Sequence, residues 1–381
     1  MKTPLFALLG LLLSISTNAQ TIAPPTIAAR AWLVLDASSQ QILASNEVDA
    51  RIEPASLTKI MTAYLTFSAI RDKRLDLNQT INVSTHAWKV DSSSSKMFIE
   101  PGTAVRMTDL LHGLIVQSGN DAAVTLAEAV AGDQAAFVVL MNRQAAQMGL
   151  KNTRFVNPHG LPDPNNYSTA RDLSMLAWRL ITDFPEFYKI YSVKSFTYNK
   201  ISQPNRNRLL WLDETVDGMK TGHTQAAGYC LIASAVRSNG NGQRRLISVV
   251  LGAESDNMRA QESQKLLNWG FMNFQSFKIY SKDQAVLTPV VWKGSKDEIR
   301  LGFNRDVFVS LPRGSTANLK SVVQRIDPLI APISQYRQVG TLKVLADGKV
   351  ISELPLQALD QVNEATIFGR AFDSLRLMLP R

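Results

Sequence analysis

"EPASLTKIMTAYL", residues 53–65, places a serine and a lysine three positions apart where an apolar periodic run begins. Ile60, Met61, Tyr64 and Leu65 recur at helical spacing and Pro54 stands just upstream, so the stretch predicts a helix. On one helix Ser56 and Lys59 share a face about one turn apart, and their side chains can meet. Two readings are open at this point. One is a serine capping a helix beside a solvated lysine; the other is a hydroxyl nucleophile beside the amine that deprotonates it.

The N-terminus sets the destination. "MKTPLFALLGLLLSISTNAQ" carries Lys2, an apolar core from Leu5 to Leu13, and the small residues Thr17 and Ala19 ahead of Gln20. That is the pattern of a secretory signal over residues 1–19, cut before Gln20. The apolar run is short for a bilayer and no later stretch is long enough to span one, so an exported protein is expected. A length of 381 residues suggests about two domains. The single cysteine, Cys230, excludes an intrachain disulfide; within "AAGYCLIASAV" it reads as a buried, inert thiol on a strand. The net charge of +9 is scattered, with "GQRRL" the densest basic cluster. No basic stripe is present, so nucleic acid is not expected as a partner, while weak attraction to anionic lipid or an acidic polymer is compatible.

"RAWLVLDASSQQILAS" reads as a hairpin, with strands at residues 30–37 and 40–45. Residues 56–188 follow mostly helical patterns, including two helices in "MTDLLHGLIVQSGNDAAVTLAEAV" interrupted at Ser118, Gly119 and Asn120, and "STARDLSMLAWRLI" after a loop from Asn157 to Asn166. From Val216 the period changes: "VDGMKTGHT", "AGYCLIASAVR" and, beyond the "SNGNG" turn, "RRLISVVLGA" read as strands, closed by the helix "DNMRAQESQKLLNWGF". One α+β domain can unite these in an antiparallel sheet flanked by helices. After about residue 277, short alternating runs such as "VFVSLP" and "GTLKVLADGKVISELPL" predict a small all-β module without a catalytic cluster.

S-x-x-K alone is a weak signal, and a second copy, "SSSK" ending at Lys96, lies in a polar run that reads as loop. Ser118–Gly119–Asn120 is an S-x-N, though Ser16 and Ser255 begin such triplets too. Lys220–Thr221–Gly222 is the one K-T-G. Their order and places carry the weight: S-x-x-K opening a helix, S-x-N at a helix break, K-T-G on a strand. In this arrangement, with "PASLTKIMTAY", "QSGNDA", "FVNPHGL", "VDGMKTGHT", "RRLISVVLGA" and the closing "FGRAFDSLRLML", nearly the whole mature chain resembles the low-molecular-mass penicillin-binding proteins, the serine-type D-alanyl-D-alanine carboxypeptidases of the bacterial envelope.

The resemblance implies a penicillin-recognising serine transferase domain over residues 20–277, a β-rich domain over 278–367 and an amphipathic segment over 368–381. It implies removal of the terminal D-alanine from peptidoglycan stems through an acyl-serine, and acylation by β-lactams. A serine hydroxyl needs a base, and a lysine serves only when neutral, which burial or a nearby cation achieves. The implied catalytic residues are Ser56 as nucleophile, Lys59 as base and Ser118 as proton relay to the leaving amine. Asn120 would hold a substrate amide, and Lys220, Thr221 and Arg259 would surround its carboxylate. The backbone N–H groups of Ser56 and His223, beside Gly222, would form the oxyanion hole. His159 is expected to steady the flanking loop. His86, His112 and His159 lack spacing such as H-E-x-x-H, so no metal or organic cofactor is expected.

Other functions compete. A serine β-lactamase adds a glutamate below the site, and Lys151 to Asp172 contains none, which predicts slow release of penicillin; Asp163 and Asp172 are the candidates for polar support there, and Asp172, starting a helix turn, reads as structural. A transpeptidase, an endopeptidase or a spent wall-binding scaffold could share these residues. Pro204 and Arg208, in "QPNRNRLLW", lie where relatives contact peptide. In the tail, Phe368, Ala371, Phe372, Leu375, Met378 and Leu379 line one helical face, while Arg370, Asp373, Ser374 and Arg376 lie elsewhere. This predicts an in-plane anchor on the periplasmic face of the inner membrane, with packing of that face on the β module as the alternative.

Overall fold

The computed structural model describes residues 22–91, 94–238 and 242–378. The signal reading over 1–19, Ser93, the middle of the "SNGNG" turn, Leu379 and Pro380 lie outside them. The predicted hairpin is β1 (Ala31–Asp36) paired antiparallel with β2 (Ile42–Asn46), Val34 opposite Ala44. Far along the chain β3 (Val216–Thr224), β4 (Gly228–Ser238) and β5 (Gln243–Ala253) complete one antiparallel sheet, in the order β2-β1-β5-β4-β3. Leu33 of β1 faces Val249 of β5, and β3 is left at an edge. Every residue of β1 is buried. Ala31, Leu33 and Leu35 enter the core on one face of the sheet, Trp32 and Val34 the core on the other. A strand covered on both faces needs apolar residues at successive positions, which is why "AWLVL" shows no polar alternation.

Helices cover both faces: α1 (Lys59–Arg71), α2 (Met107–Ile115), α3 (Asn120–Ala131), α4 (Gln134–Gln147), α5 (Ala170–Asp183) and α6 (Asp256–Asn273). From Lys59 through Phe67 every residue of α1 is buried. A helix apolar all round is a core rod, so a polar group it carries is dehydrated with it. The reading of 53–65 as one continuous helix needs correction. Ala55–Thr58 is a 3-10 turn, and the α-helix begins at Lys59. Residues i and i+3 eclipse in a 3-10 turn, which suits a serine and a lysine at that spacing. Two short antiparallel pairs, Thr80–Asn82 with Ala104–Arg106 and Ser195–Tyr198 with Ile201–Pro204, are too brief to register as periodic runs. The helix expected from Ser168 starts at Ala170, because Thr169 caps it by accepting from the Asp172 N–H.

Helix α6 runs directly into β6 (Phe274–Tyr280), which pairs with β7 (Val307–Pro312). A second five-stranded sheet contains β8 (Leu319–Arg325), β9 (Gln338–Ala346), β10 (Lys349–Ala358) and two short strands, around a core of its own that includes Ile299, Val309, Leu342 and Leu356. The two parts meet over a buried polar knot. Asp36 Oδ2, at the end of β1, accepts from Arg244 Nε at 2.7 Å, Ser276 Oγ at 2.5 Å and Ser310 Oγ at 2.7 Å. Helix α7 (Ile367–Met378) closes the described chain.

Candidate active site

One end of edge strand β3 faces the 3-10 turn, the α2–α3 break and the loop after Asn157 across a cleft of about 610 Å3. Two glycines set these approaches. A Cβ on Gly222 would lie 3.1 Å from Pro54 O and 3.2 Å from the Ala55 Cβ, so the bare backbone lets β3 press against the turn. Gly160, at φ +83°, would put a Cβ 1.8 Å from Ala55 O, a position closed to any side chain.

Ser56 Oγ is at the mouth of this joint, 2.9 Å from Lys59 Nζ. The same amine donates to Asn120 Oδ1 at 2.6 Å and to His159 O at 2.8 Å. Among the described residues no carboxylate lies within ion-pair distance of it. Burial drives Lys59 well below the ordinary lysine value; the positive charge of Arg206 adds to the effect, and the Asp121 carboxylate opposes it. A neighbouring cation therefore contributes as expected, and it is Arg206.

Lys220 Nζ donates to Ser118 Oγ at 2.8 Å and to Thr221 O at 3.0 Å. It too is buried and held well below its usual value, first by desolvation, then by the charges of Lys59, Arg206 and Arg259. Ser118 occupies the left-handed region at φ +60°, an unfavourable backbone for serine that hands its hydroxyl to Lys220 between two helices. Asn120 is the first residue of α3, not part of the break. Its neighbour Asp121 is buried and accepts from the Met97 and Phe98 N–H groups, both at 2.9 Å. That carboxylate fixes the wall carrying Ser94 and Ser95, and the described part of the "SSSK" run is loop, as read.

Thr221, Gly222 and His223 line the cleft. The His223 ring stacks on Tyr229, centroids 4.0 Å apart. Arg259 is buried, although an arginine in a helix's first turn is usually solvated. Its Nη1 donates to Gly222 O at 3.1 Å, and its other end pairs with Asp256, so it buttresses β3 from behind while touching the cleft. His159 is buried, and desolvation followed by the Lys59 charge lowers it to about 3, so it is neutral. Its Nδ1 accepts from the Leu161 N–H at 3.1 Å, which steadies the loop. Asp172 accepts from Asn152 N at 2.8 Å and Thr153 Oγ1 at 2.7 Å, and Asp163 from Asn165 N at 2.8 Å; both hold local turns. Pro204 and Arg208 line the cleft. So does Arg206, which sequence reasoning passed over because an arginine in "QPNRNRLLW" has no spacing that marks it.

The profile of the D-alanyl-D-alanine carboxypeptidase family matches residues 18–255, and that of the penicillin-binding protein 5 C-terminal domain matches 274–364. The D-alanyl-D-alanine carboxypeptidase DacC of Escherichia coli K12 is 45% identical over 360 residues, covering 93% of this chain and 89% of that protein. Penicillin-binding protein 5 from Haemophilus influenzae superposes with a TM-score of 0.80 at 43% identity, covering 90% of this chain and all of that one. Penicillin-binding protein D2 from Listeria monocytogenes, solved in a cefotaxime-bound form, gives a TM-score of 0.60 at 31% identity over 66% of this chain and all of that one.

Proposed function

The chain belongs to the D-alanyl-D-alanine carboxypeptidase family, and we propose that Ser56 is its nucleophile and Lys59 the base that activates it. The enzyme removes the terminal D-alanine from peptidoglycan pentapeptide stems through a serine acyl-enzyme, and β-lactams acylate it. One observation carries the assignment: a fully dehydrated amine, without a carboxylate partner among the described residues, beside a serine hydroxyl. A neutral Lys59 has two N–H bonds and one lone pair. Asn120 Oδ1 and His159 O take the two N–H bonds, which leaves the lone pair for the Ser56 O–H.

The sequence of steps follows. Ser56 Oγ attacks the carbonyl of the penultimate D-alanine as its proton passes to Lys59, and the developing oxyanion takes the N–H groups of Ser56 and His223. The C–N bond breaks, and the departing amine collects a proton through Ser118, which Lys220 backs. Water then attacks the ester, its proton returning through Ser118 to Lys220 while Lys59 gives its proton back to Ser56 Oγ, which restores both amines. Asn120, its carbonyl engaged by Lys59, offers its NH2 to a substrate carbonyl. Lys220, Thr221 and Arg259 receive the terminal carboxylate. The carboxylates on the cleft wall are Asp91 and Asp256, and Asp256 is paired with Arg259. With no glutamate between Lys151 and Asp172, hydrolysis of a penicilloyl ester is slow, unlike in a β-lactamase.

Intact-mass analysis after mixing with penicillin, followed by peptide mapping, tests this. The adduct belongs on Ser56 and persists, nitrocefin turns over slowly, and Ser56→Ala forms no adduct and releases no D-alanine from a D-Ala-D-Ala peptide. A label on another serine, or many nitrocefin turnovers per second, would reject the assignment.

Export through residues 1–19 and a periplasmic location on the inner membrane complete the proposal. Support for the attachment comes from α7. Phe368, Phe372, Leu375 and Met378 are exposed, while Asp373 accepts from the Lys293 N–H at 2.6 Å and Leu377 is half-buried. The helix leans on the β-rich part by its other side and keeps its apolar face free, the opposite of the packing alternative. No single described helix is long and apolar enough to cross a membrane.

A further inference from the structure

Where the two parts of the molecule meet, at the end of the first sheet away from the cleft, a second cavity of about 770 Å3 opens. Its walls come from the β1–β2 turn, α5, residues 303–305 and β10. Its size suits a ligand. Gln41 ties the walls together, accepting from the Ser310 N–H at 2.6 Å and donating to Ile351 O at 3.2 Å. The Asp36 knot lies beside it, as Ser39 Oγ and Ser310 Oγ are 2.9 Å apart. The groove is therefore formed in advance.

Three arginines line it. Arg171 is held by Asp49 and Arg179 by Asp183. Arg305 differs: it is half-buried, and among the described residues no carboxylate lies within ion-pair distance of it. Its hydrogen bond is a long one, Nη1 to Asp306 O at 3.5 Å, and burial lowers the guanidinium from its ordinary value. The acid on the groove wall, Glu353, already faces Lys343 at 3.4 Å. A partly dehydrated cation without a counter-ion favours an incoming carboxylate, bound through a charge-assisted fork. Trp178 lines the same groove, and its indole N–H already donates to Ala37 O at 3.0 Å. What it offers a ligand is ring surface, against which the C–H face of a sugar or an apolar stretch of peptide can lie.

We propose that this groove is a second binding site for the wall polymer, taking a carboxylate-bearing glycopeptide segment with its carboxylate on Arg305 and its sugar or peptide face on Trp178. The inference rests on the reading of the chain as an enzyme of peptidoglycan stems. A polymer carries many stems, so a second grip raises the local concentration of the next one at the cleft. The carboxylate is one of the stem peptide's, because the lactyl carboxyl of a muramyl sugar that bears a stem is an amide.

The test uses the full-length protein with Ser56 acylated by penicillin, so that the cleft is blocked. It is titrated with N-acetylmuramic acid, with the free stem tetrapeptide and with the disaccharide-tetrapeptide, following the Trp178 indole N–H by NMR. The disaccharide-tetrapeptide shifts that resonance saturably. A matching response to the free tetrapeptide assigns the carboxylate to the stem, and a response to N-acetylmuramic acid without one to the disaccharide-tetrapeptide overturns the glycopeptide reading. Arg305→Gln weakens binding about tenfold or more, Arg305→Lys retains part of it, and neither changes cleavage of a short D-Ala-D-Ala peptide. A Trp178 resonance that no probe moves, or equal affinity in folded Arg305→Gln, overturns the site. If that variant does not fold, the wild-type titration decides by itself. Failure of wild-type acylation or short-peptide cleavage would instead count against Ser56, so the two failures are distinguishable.

Discussion

Lys59 takes the Ser56 proton only when it is uncharged, so acylation accelerates as rising pH strips Lys59 of its proton. Burial comes first in lowering that transition, and the Arg206 charge adds to it. Arg206→Gln removes the second contribution, so the Lys59 value rises. The ascending limb of kcat/KM against pH then moves to more alkaline pH, and activity at neutral pH falls. A limb that stays in place, or moves to lower pH, would show that Arg206 does not act on Lys59. At this scale the sequence was readable where spacing carries chemistry. Ser56 with Lys59, Ser118 with Asn120, and Lys220 with its neighbours announce themselves because each motif lies within a single local segment. Arg206 and the carbonyl of His159 do not. Both act on Lys59 from distant segments, and folding alone brings them near.

Among elements, the joint between the 3-10 turn and the loop at Gly160 fixes where the nucleophile points. Gly160→Ala would drive a Cβ into Ala55 O and impose a left-handed backbone on alanine. Strain of this kind costs about 1–3 kcal/mol. The expected result is a lower melting temperature together with slower penicillin acylation; a variant that melts and acylates like wild type would show that the turn tolerates displacement. Helix α7 makes a separate prediction. Deleting residues 367–381, or replacing Phe368 and Leu375 with glutamate, should shift the protein from the membrane to the soluble fraction while its turnover of a short D-Ala-D-Ala peptide is unchanged. An unaltered distribution would remove the anchor. Strands and helices of ten or more residues were legible from their period, as β4, β5 and α5 illustrate. The 3-10 turn was not, because over four residues its pattern cannot be told from the first turn of an α-helix.

Across the whole molecule, the Asp36 knot joins the sheet of the first part to β6 and β7 of the second. Asp36→Ala leaves Arg244 buried without its carboxylate and frees the hydroxyls of Ser276 and Ser310. Breaking a buried pair from one side costs about 3–5 kcal/mol. Calorimetry should therefore record earlier melting, with the transition splitting as the β-rich part uncouples. A single transition at the wild-type temperature would mean that the knot adds nothing to the union. No motif advertised this connection, because its members come from residues 36, 244, 276 and 310 and meet only in the fold.

Cys230 sits opposite Gly222 on the strand next to the K-T-G edge, fully buried, its thiol pushed up to about 11 by burial. It is also the sole sulfhydryl in the chain. An alkylating reagent can reach it only when that edge peels open, so the speed of alkylation is a clock for local opening behind the site. A bound antibiotic that clamps the edge should slow the clock, giving a readout of occupancy that needs neither substrate nor engineered label.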